Sequence, residues 1–289
     1  MSATLAVEAF GTRFQNPVLL ASGTAGYGRE LMGVMDVERL GGIVTKAVSL
    51  VPRQGNPPPR VAEFPGGMMN SVGLANPGLA HVARHELPWL AANLHRAKVL
   101  VNVVGFVTEE YAEVVAGLEE VPGLVGYELN LSCPNTHMGG IEFGTDVACV
   151  ERIVAACRAV TKRAVIAKLS PVLPDIAGVA LVARDAGADA VTVVNTLPGR
   201  LWHEDGTPRL GMGQGGVSGP ALLPIGVLAT AKVVERTGMT VIGVGGIRTA
   251  DDVRQYLRAG ATLVQVGTAA MANPRVPERI VRDLERGHG

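Results

Sequence analysis

Residues 99–104 read Val99-Leu100-Val101-Asn102-Val103-Val104, apolar on nearly every residue rather than on alternate ones. A strand with one wet face alternates polar with apolar, whereas a strand covered on both faces does not. The run is therefore read as a strand of a parallel sheet sandwiched by helices. Seven further runs have the same character: Pro17–Ala21, Gly42–Ala47, Tyr127–Leu131, Val165–Leu169, Ala190–Asn195, Val241–Val244 and Leu263–Val266. Each run is followed by a segment of helical period. These are Arg29–Leu40, Leu79–Arg96, Glu109–Leu118, Val147–Val160, Asp175–Ala186, Ala221–Arg236, Ala250–Arg258 and Pro277–Arg286. Eight β-then-α units without a linker favour an α/β fold of the closed (β/α)8 TIM-barrel type, with an open doubly wound sheet as the alternative. The chain of 289 residues is read as one domain, 1–289, since such a barrel needs roughly 250.

Local signals agree with these boundaries. Thr108 precedes Glu109 and Glu110, and Thr249 precedes Asp251 and Asp252, as helix starts do. Gly187, Gly238 and Gly260 stand where helices should stop. Thr4–Ala9 followed by Phe10–Arg13 is read as an N-terminal hairpin ahead of the first strand. Two connections, Val48–Pro77 and Thr196–Gly219, are unusually long. Both leave the carboxyl ends of strands, where barrel enzymes carry their active sites, and loops of that length are more often functional than idle.

Composition narrows the classes of function. Lys plus Arg equals Asp plus Glu at 26 each, which gives no reason to expect nucleic acid or an anionic membrane as partner. No run approaches the ~18 apolar residues of a membrane span, and no basic-then-apolar leader is read at the start. The three cysteines, Cys133, Cys149 and Cys157, include no Cys-x-x-Cys pair. That pattern suits a reducing, cytoplasmic setting and argues against an iron–sulfur cluster or structural zinc on this chain. The histidines show no metal-ligand spacing, and no metal is expected.

Glycines suggest a phosphate site. Gly243-Val244-Gly245-Gly246-Ile247 and Val266-Gly267-Thr268-Ala269 end the seventh and eighth strands, where exposed N–H groups can hold a phosphate dianion. Tight turns alone are the lesser reading. Gly211-Met212-Gly213-Gln214-Gly215-Gly216 matches G-x-G-x-x-G but follows no strand, so it is read as a mobile loop rather than a Rossmann nucleotide site.

Polar side chains gather at strand ends. Lys46 and Lys168 are expected at the barrel mouth, to offset negative charge, bind phosphate or, in Lys168, form a Schiff base. Asn70, Asn102, Asn130, Asn135 and Asn195 offer paired donors and acceptors to a flat ligand carrying C=O and N–H groups. Cys149 and Cys157 are read as core. Cys133 follows the fourth strand among polar residues and is a candidate proton acceptor. His137 is close enough to tune it, though a solvent-exposed loop histidine is an equal reading.

The motifs together resemble dihydroorotate dehydrogenases. They are Lys46-Ala47, Gly55-Asn56-Pro57-Pro58-Pro59-Arg60, Asn70-Ser71-Val72-Gly73-Leu74 with Asn76-Pro77-Gly78, Asn130-Leu131-Ser132-Cys133-Pro134-Asn135, Lys168-Leu169-Ser170-Pro171, Asn195-Thr196, Gly245-Gly246-Ile247 and Gly267-Thr268. The resemblance implies one FMN per chain and oxidation of dihydroorotate to orotate in pyrimidine (UMP) biosynthesis. Cys133 would take the C5 proton while hydride leaves C6. Lys46, Asn70, Ser71, Val72, Gly73, Leu74, Asn130, Asn195 and Thr196 would surround the substrate. Ser22, Lys46, Ala47, Asn102, Asn130, Lys168, Val194, Gly219, Gly245, Gly246, Gly267 and Thr268 would hold FMN. The Pro57-Pro58-Pro59 run and Gly139-Gly140-Ile141-Glu142-Phe143-Gly144 resemble the NAD-linked class 1B. That class implies a homodimer of this chain joined to an electron-transfer subunit carrying FAD and a 2Fe–2S cluster, a heterotetramer. Thr136-His137-Met138 matches neither class. The alternatives are the fumarate-linked class 1A homodimer, a flavin-free lyase using Lys168, a scaffold that only holds FMN, and an FMN barrel acting on other dihydropyrimidines.

Overall fold

The computed structural model describes residues 5–131, 134–135, 141–142 and 146–287. Eight parallel strands close into a barrel. In chain order they are β1 Val18–Leu20, β2 Gly42–Val44, β3 Lys98–Val103, β4 Leu124–Asn130, β5 Ala164–Leu169, β6 Ala190–Val193, β7 Thr240–Val244 and β8 Leu263–Val266. Closure comes from β8 pairing with β1 through Val264 opposite Val18 and Val266 opposite Leu20. This excludes the open-sheet alternative. All eight expected runs contain a strand, because each was apolar on both faces and each lies between the barrel interior and an outer helix.

The N-terminal hairpin, Val7–Ala9 paired with Thr12–Phe14, closes the lower end of the barrel. Ala9 and Phe14 form one buried cluster with Leu19, Val44, Leu100, Ile166, Ala190, Ile242 and Leu263, inward residues from seven of the eight strands. The bottom of the barrel is thus solid hydrocarbon, and polar chemistry is confined to the upper layers.

Most outer helices fall where their signals stand. Thr249 completes a capping box with Asp252 at the start of Ala250–Arg258, and Gly238 ends Leu222–Thr237 in the left-handed conformation. Three expectations are corrected. Arg29–Leu40 is not one helix but two short 3-10 turns, Arg29–Leu31 and Val37–Arg39, interrupted by Gly33 at φ 83°. Leu79–Arg96 ends at Asn93 and carries a π turn at Val82–Glu86, just before Pro88, which lacks the N–H for a regular helical bond. Thr108 is the first residue of its helix rather than its cap; Glu110 instead receives the Phe106 N–H (2.7 Å).

The two long connections are not irregular. Val61–Phe64, Gly67–Asn70, Leu197–Gly199 and Gly215–Ser218 form a four-stranded antiparallel sheet beside the carboxyl end of the barrel. The glycine-rich segment read as a mobile loop therefore ends in a strand: Gly216 pairs with Asn70 and Val217 with Met69. Among the described residues no helix is long and apolar enough to cross a membrane.

Candidate active site

The polar centre of the barrel is Glu128 on β4. Its side chain is fully buried, and a carboxylate there requires partners. It has four. Asn102 Nδ2 on β3 donates to Oε1 at 2.9 Å, and Lys168 Nζ on β5 lies 3.3 Å from the same oxygen. Thr192 Oγ1 on β6 (2.8 Å) and Gln265 Nε2 on β8 (2.6 Å) donate to Oε2. Burial pushes the Glu128 carboxyl up, but the Lys168 ammonium and the hydrogen bonds from Gln265, Thr192 and Asn102 outweigh it and hold the group below the usual carboxylate range. Glu128 is therefore ionised.

An ionised carboxylate only accepts, so both amides must turn their NH2 groups to it. Their oxygens are left over: Asn102 Oδ1 and Gln265 Oε1 are buried and have no hydrogen-bond partner. Two orphan acceptors beside a cation suit a ring that brings its own N–H groups.

The described residues of the expected site lie around the same end of the barrel. Asn130 ends β4 two residues beyond Glu128, on the same face of the strand. It accepts from Asn195 Nδ2 at 3.2 Å, and its backbone carbonyl accepts from Tyr111 Oη at 2.8 Å. The Thr196 N–H donates to Asn195 Oδ1 (2.8 Å). Asn70 Nδ2 reaches Gly216 O at 3.5 Å, and a side chain at Gly216 would strike Thr196 Oγ1. The outer sheet thus brings Asn70 beside Thr196, although they come from different long connections. The segment Asn70–Leu74 is braced from behind. The Ser71 N–H donates to Arg60 O, Asn56 Nδ2 to Ser71 Oγ, and the Asn56 N–H to Val72 O. Leu74 is held at φ 59°, a strained conformation of the kind that clusters at functional sites.

Ser22, Lys46 and Ala47 follow β1 and β2. The Ala21 N–H donates to Val266 O, the Lys46 N–H to Gly26 O, and Tyr27 Oη to Ala47 O. Val194 bonds back to Val244 O at 3.0 Å. At the glycine cradle, the N–H groups of Gly245, Gly246 and Gly267 have no acceptor among the described residues. Gly246 has φ 74°, and a Cβ there would meet the Leu223 backbone. Tyr256 Oη fixes the Gly245 carbonyl (2.8 Å), while Thr268 Oγ1 donates to Ser218 Oγ (2.8 Å), tying the cradle to the outer sheet one residue before Gly219.

Cys133 lies outside the described residues, as does His137. Cys149 and Cys157 are buried on Val147–Val160, and burial pushes the Cys157 thiol up to about 12, as expected of core cysteines. Glu128, Thr192 and Gln265 were not anticipated from sequence. Their signal was a polar residue flanked by apolar ones: Tyr127-Glu128-Leu129, Val191-Thr192-Val193 and Val264-Gln265-Val266. Lys168, the Schiff-base candidate, is paired with the buried Glu128 carboxylate at 3.3 Å.

Comparison with known proteins agrees with this architecture. The dihydroorotate dehydrogenase family pattern matches residues 4–287. "Dihydroorotate dehydrogenase B (NAD(+)), catalytic subunit" of Pelobacter propionicus is 43% identical over 287 residues, covering 99% of this chain and 94% of the relative. The protein of the same name in Desulforudis audaxviator is 44% identical over 287 residues, 99% of this chain and 93% of the relative. A relative in Solibacter usitatus, provisionally named dihydroorotate dehydrogenase A (fumarate), is 45% identical over 285 residues, 98% of this chain and 93% of the relative. The barrel, its buried charge pair and a match spanning almost every residue lead to one conclusion: the chain belongs to the dihydroorotate dehydrogenase family.

Proposed function

We propose that this chain, as a single domain, oxidises dihydroorotate to orotate in the cytoplasmic synthesis of pyrimidines, with FMN held at the carboxyl end of the barrel. The observation that carries the reading is the pair of orphan acceptors, Asn102 Oδ1 and Gln265 Oε1, beside the Lys168–Glu128 pair. These residues fit a flavin: an imide N–H satisfies a buried acceptor, and Lys168 offers positive charge to a ring that becomes anionic on reduction. The free N–H groups of Gly245, Gly246 and Gly267 fit the phosphate. Ser22, Lys46, Ala47, Asn130, Val194, Gly219 and Thr268 complete the cofactor's surroundings. Bound FMN supplies the acceptor for a hydride from C6 of the substrate.

The protein's own work is binding and proton transfer. Asn70, Asn130, Asn195 and Thr196 offer donors and acceptors that match the alternating C=O and N–H groups of the pyrimidine ring. Ser71, Val72, Gly73 and Leu74 present a backbone edge, and Lys46 offers a cation to the substrate carboxylate. The reaction breaks two C–H bonds: Cys133 accepts the C5 proton as C6 gives up its hydride.

The relatives named as NAD(+)-linked catalytic subunits support a second subunit that takes electrons on to NAD⁺; the class 1B resemblance implies that this subunit carries FAD and a 2Fe–2S cluster. The assembly would be a homodimer of this chain with two such subunits. The Solibacter usitatus relative supports a second reading, a homodimer that reduces fumarate. Purification from the native host separates the two. A co-purifying iron–sulfur flavoprotein and dihydroorotate-dependent NADH formation support the first; fumarate reduction by this chain alone supports the second.

A further inference from the structure

Glu128 touches neither end of the proposed chemistry, yet it is the most costly group in the barrel to bury. Its four donors come from β3, β5, β6 and β8, so one carboxylate reaches half of the barrel's strands. Two consequences follow from its being acceptor-only. The amides of Asn102 and Gln265 are locked with their oxygens turned away from it. The charge of Lys168 is also matched one for one, so the polar centre of the barrel is electrically balanced.

We infer that Glu128 is a positioning residue for the flavin, keeping the Asn102 and Gln265 oxygens free as acceptors on the ligand side, where the imide N–H of the ring needs one, and setting the flavin's reduction potential by balancing Lys168. The inference rests on the flavin reading above and extends it to Glu128, Thr192 and Gln265. A neutral residue at 128 leaves Lys168 uncompensated, and an uncompensated cation favours the anionic reduced ring. A carboxamide at 128 also brings an NH2 of its own, which forces one of the neighbouring amides to flip and removes an acceptor from the ligand.

The test is the midpoint potential of bound FMN, by reductive titration of the holoprotein, together with the FMN dissociation constant. Glu128→Gln is expected to raise the potential by at least tenfold in the reduced-to-oxidised ratio, about 30 mV for two electrons, and to weaken FMN at least tenfold. Glu128→Asp keeps the charge but shortens the reach. It is expected to weaken FMN while leaving the potential within threefold of the wild-type ratio. Equal shifts of potential in Gln and Asp variants, or a Gln variant with wild-type potential and affinity, overturn the inference. Should Glu128→Gln fail to fold, Gln265→Met keeps the ion pair and removes one acceptor. It is expected to weaken FMN at an unchanged potential, and an unchanged affinity overturns the acceptor role. Wild-type protein that neither carries nor takes up FMN overturns the functional reading itself. Normal binding by wild type and variants alike overturns only the role of Glu128.

Discussion

Replacing Lys168 by Met removes the cation from the buried pair and leaves Glu128 behind. The two groups are 3.3 Å apart, with side-chain exposures of 9% and 0%. At an effective dielectric constant of about 20, charges at that separation attract by about 5 kcal/mol. Removal of one partner from a buried pair costs about 3–5 kcal/mol. Three neutral donors to Glu128 remain in the variant, so the lower end, about 3 kcal/mol at pH 7.5, is expected. The pH dependence gives the mechanism away. In the native protein the Glu128 carboxyl lies below its unfolded value, so its contribution is complete above the unfolded pKa and is lost as pH falls through the folded one. In the variant the upward push of burial is no longer offset by Lys168, so the carboxyl is expected to rise from its native position. The penalty is then full at neutral pH and shrinks as acid protonates the group. Urea unfolding of flavin-free protein at pH 7.5 and pH 5 measures both. A loss under about 1 kcal/mol, or a loss equal at the two pH values, would mean that Lys168 does not stabilise the Glu128 carboxylate.

Phe14→Ala should cost about 3–5 kcal/mol by opening a cavity in the barrel floor, read by the denaturation midpoint, with little change in FMN affinity because the floor is remote from the cradle. Gly246→Val should weaken FMN at least tenfold and also lower the thermal midpoint of the flavin-free protein, since the new side chain must take a left-handed backbone and meets the Leu223 backbone behind the cradle; tight FMN in this variant would exclude the cradle as the phosphate site. Cys133→Ala should keep FMN bound and slow flavin reduction by at least the ~10²-fold expected of a positioned base, measured by anaerobic stopped flow, and Cys133→Ser should retain some activity displaced to higher pH.

The barrel was legible because its strands are buried on both faces: Val99–Val104 could hardly be anything else. The outer sheet was not. Leu197-Pro198-Gly199 and Gly215-Gly216-Val217-Ser218 have almost no β propensity; Gly67–Asn70, far away in sequence, offers an edge to Gly215–Ser218, and Leu197–Gly199 pairs with that strand in turn. Gly33 broke a helix that the periodicity of Arg29–Leu40 favoured, since its left-handed backbone is a tertiary choice. In the site, the amides at strand ends were legible as a set, since singly each passes for a turn or cap residue but several gather on one face. Glu128, Thr192 and Gln265 were not, because each sits mid-strand and acquires meaning only when closure of the barrel brings four strands to one carboxylate. Asn102, equally mid-strand, was read because it belonged to a series of amides.

Hydride passing from dihydroorotate to the flavin changes the flavin's colour. Anaerobic mixing of the purified yellow protein with dihydroorotate tests that transfer most directly, with dihydrouracil as the comparison. Dihydroorotate is expected to bleach the flavin and yield one orotate per flavin reduced, and dihydrouracil, which lacks the carboxylate, to leave it oxidised. A flavin that stays oxidised with dihydroorotate, or that bleaches equally with both, would contradict that expectation.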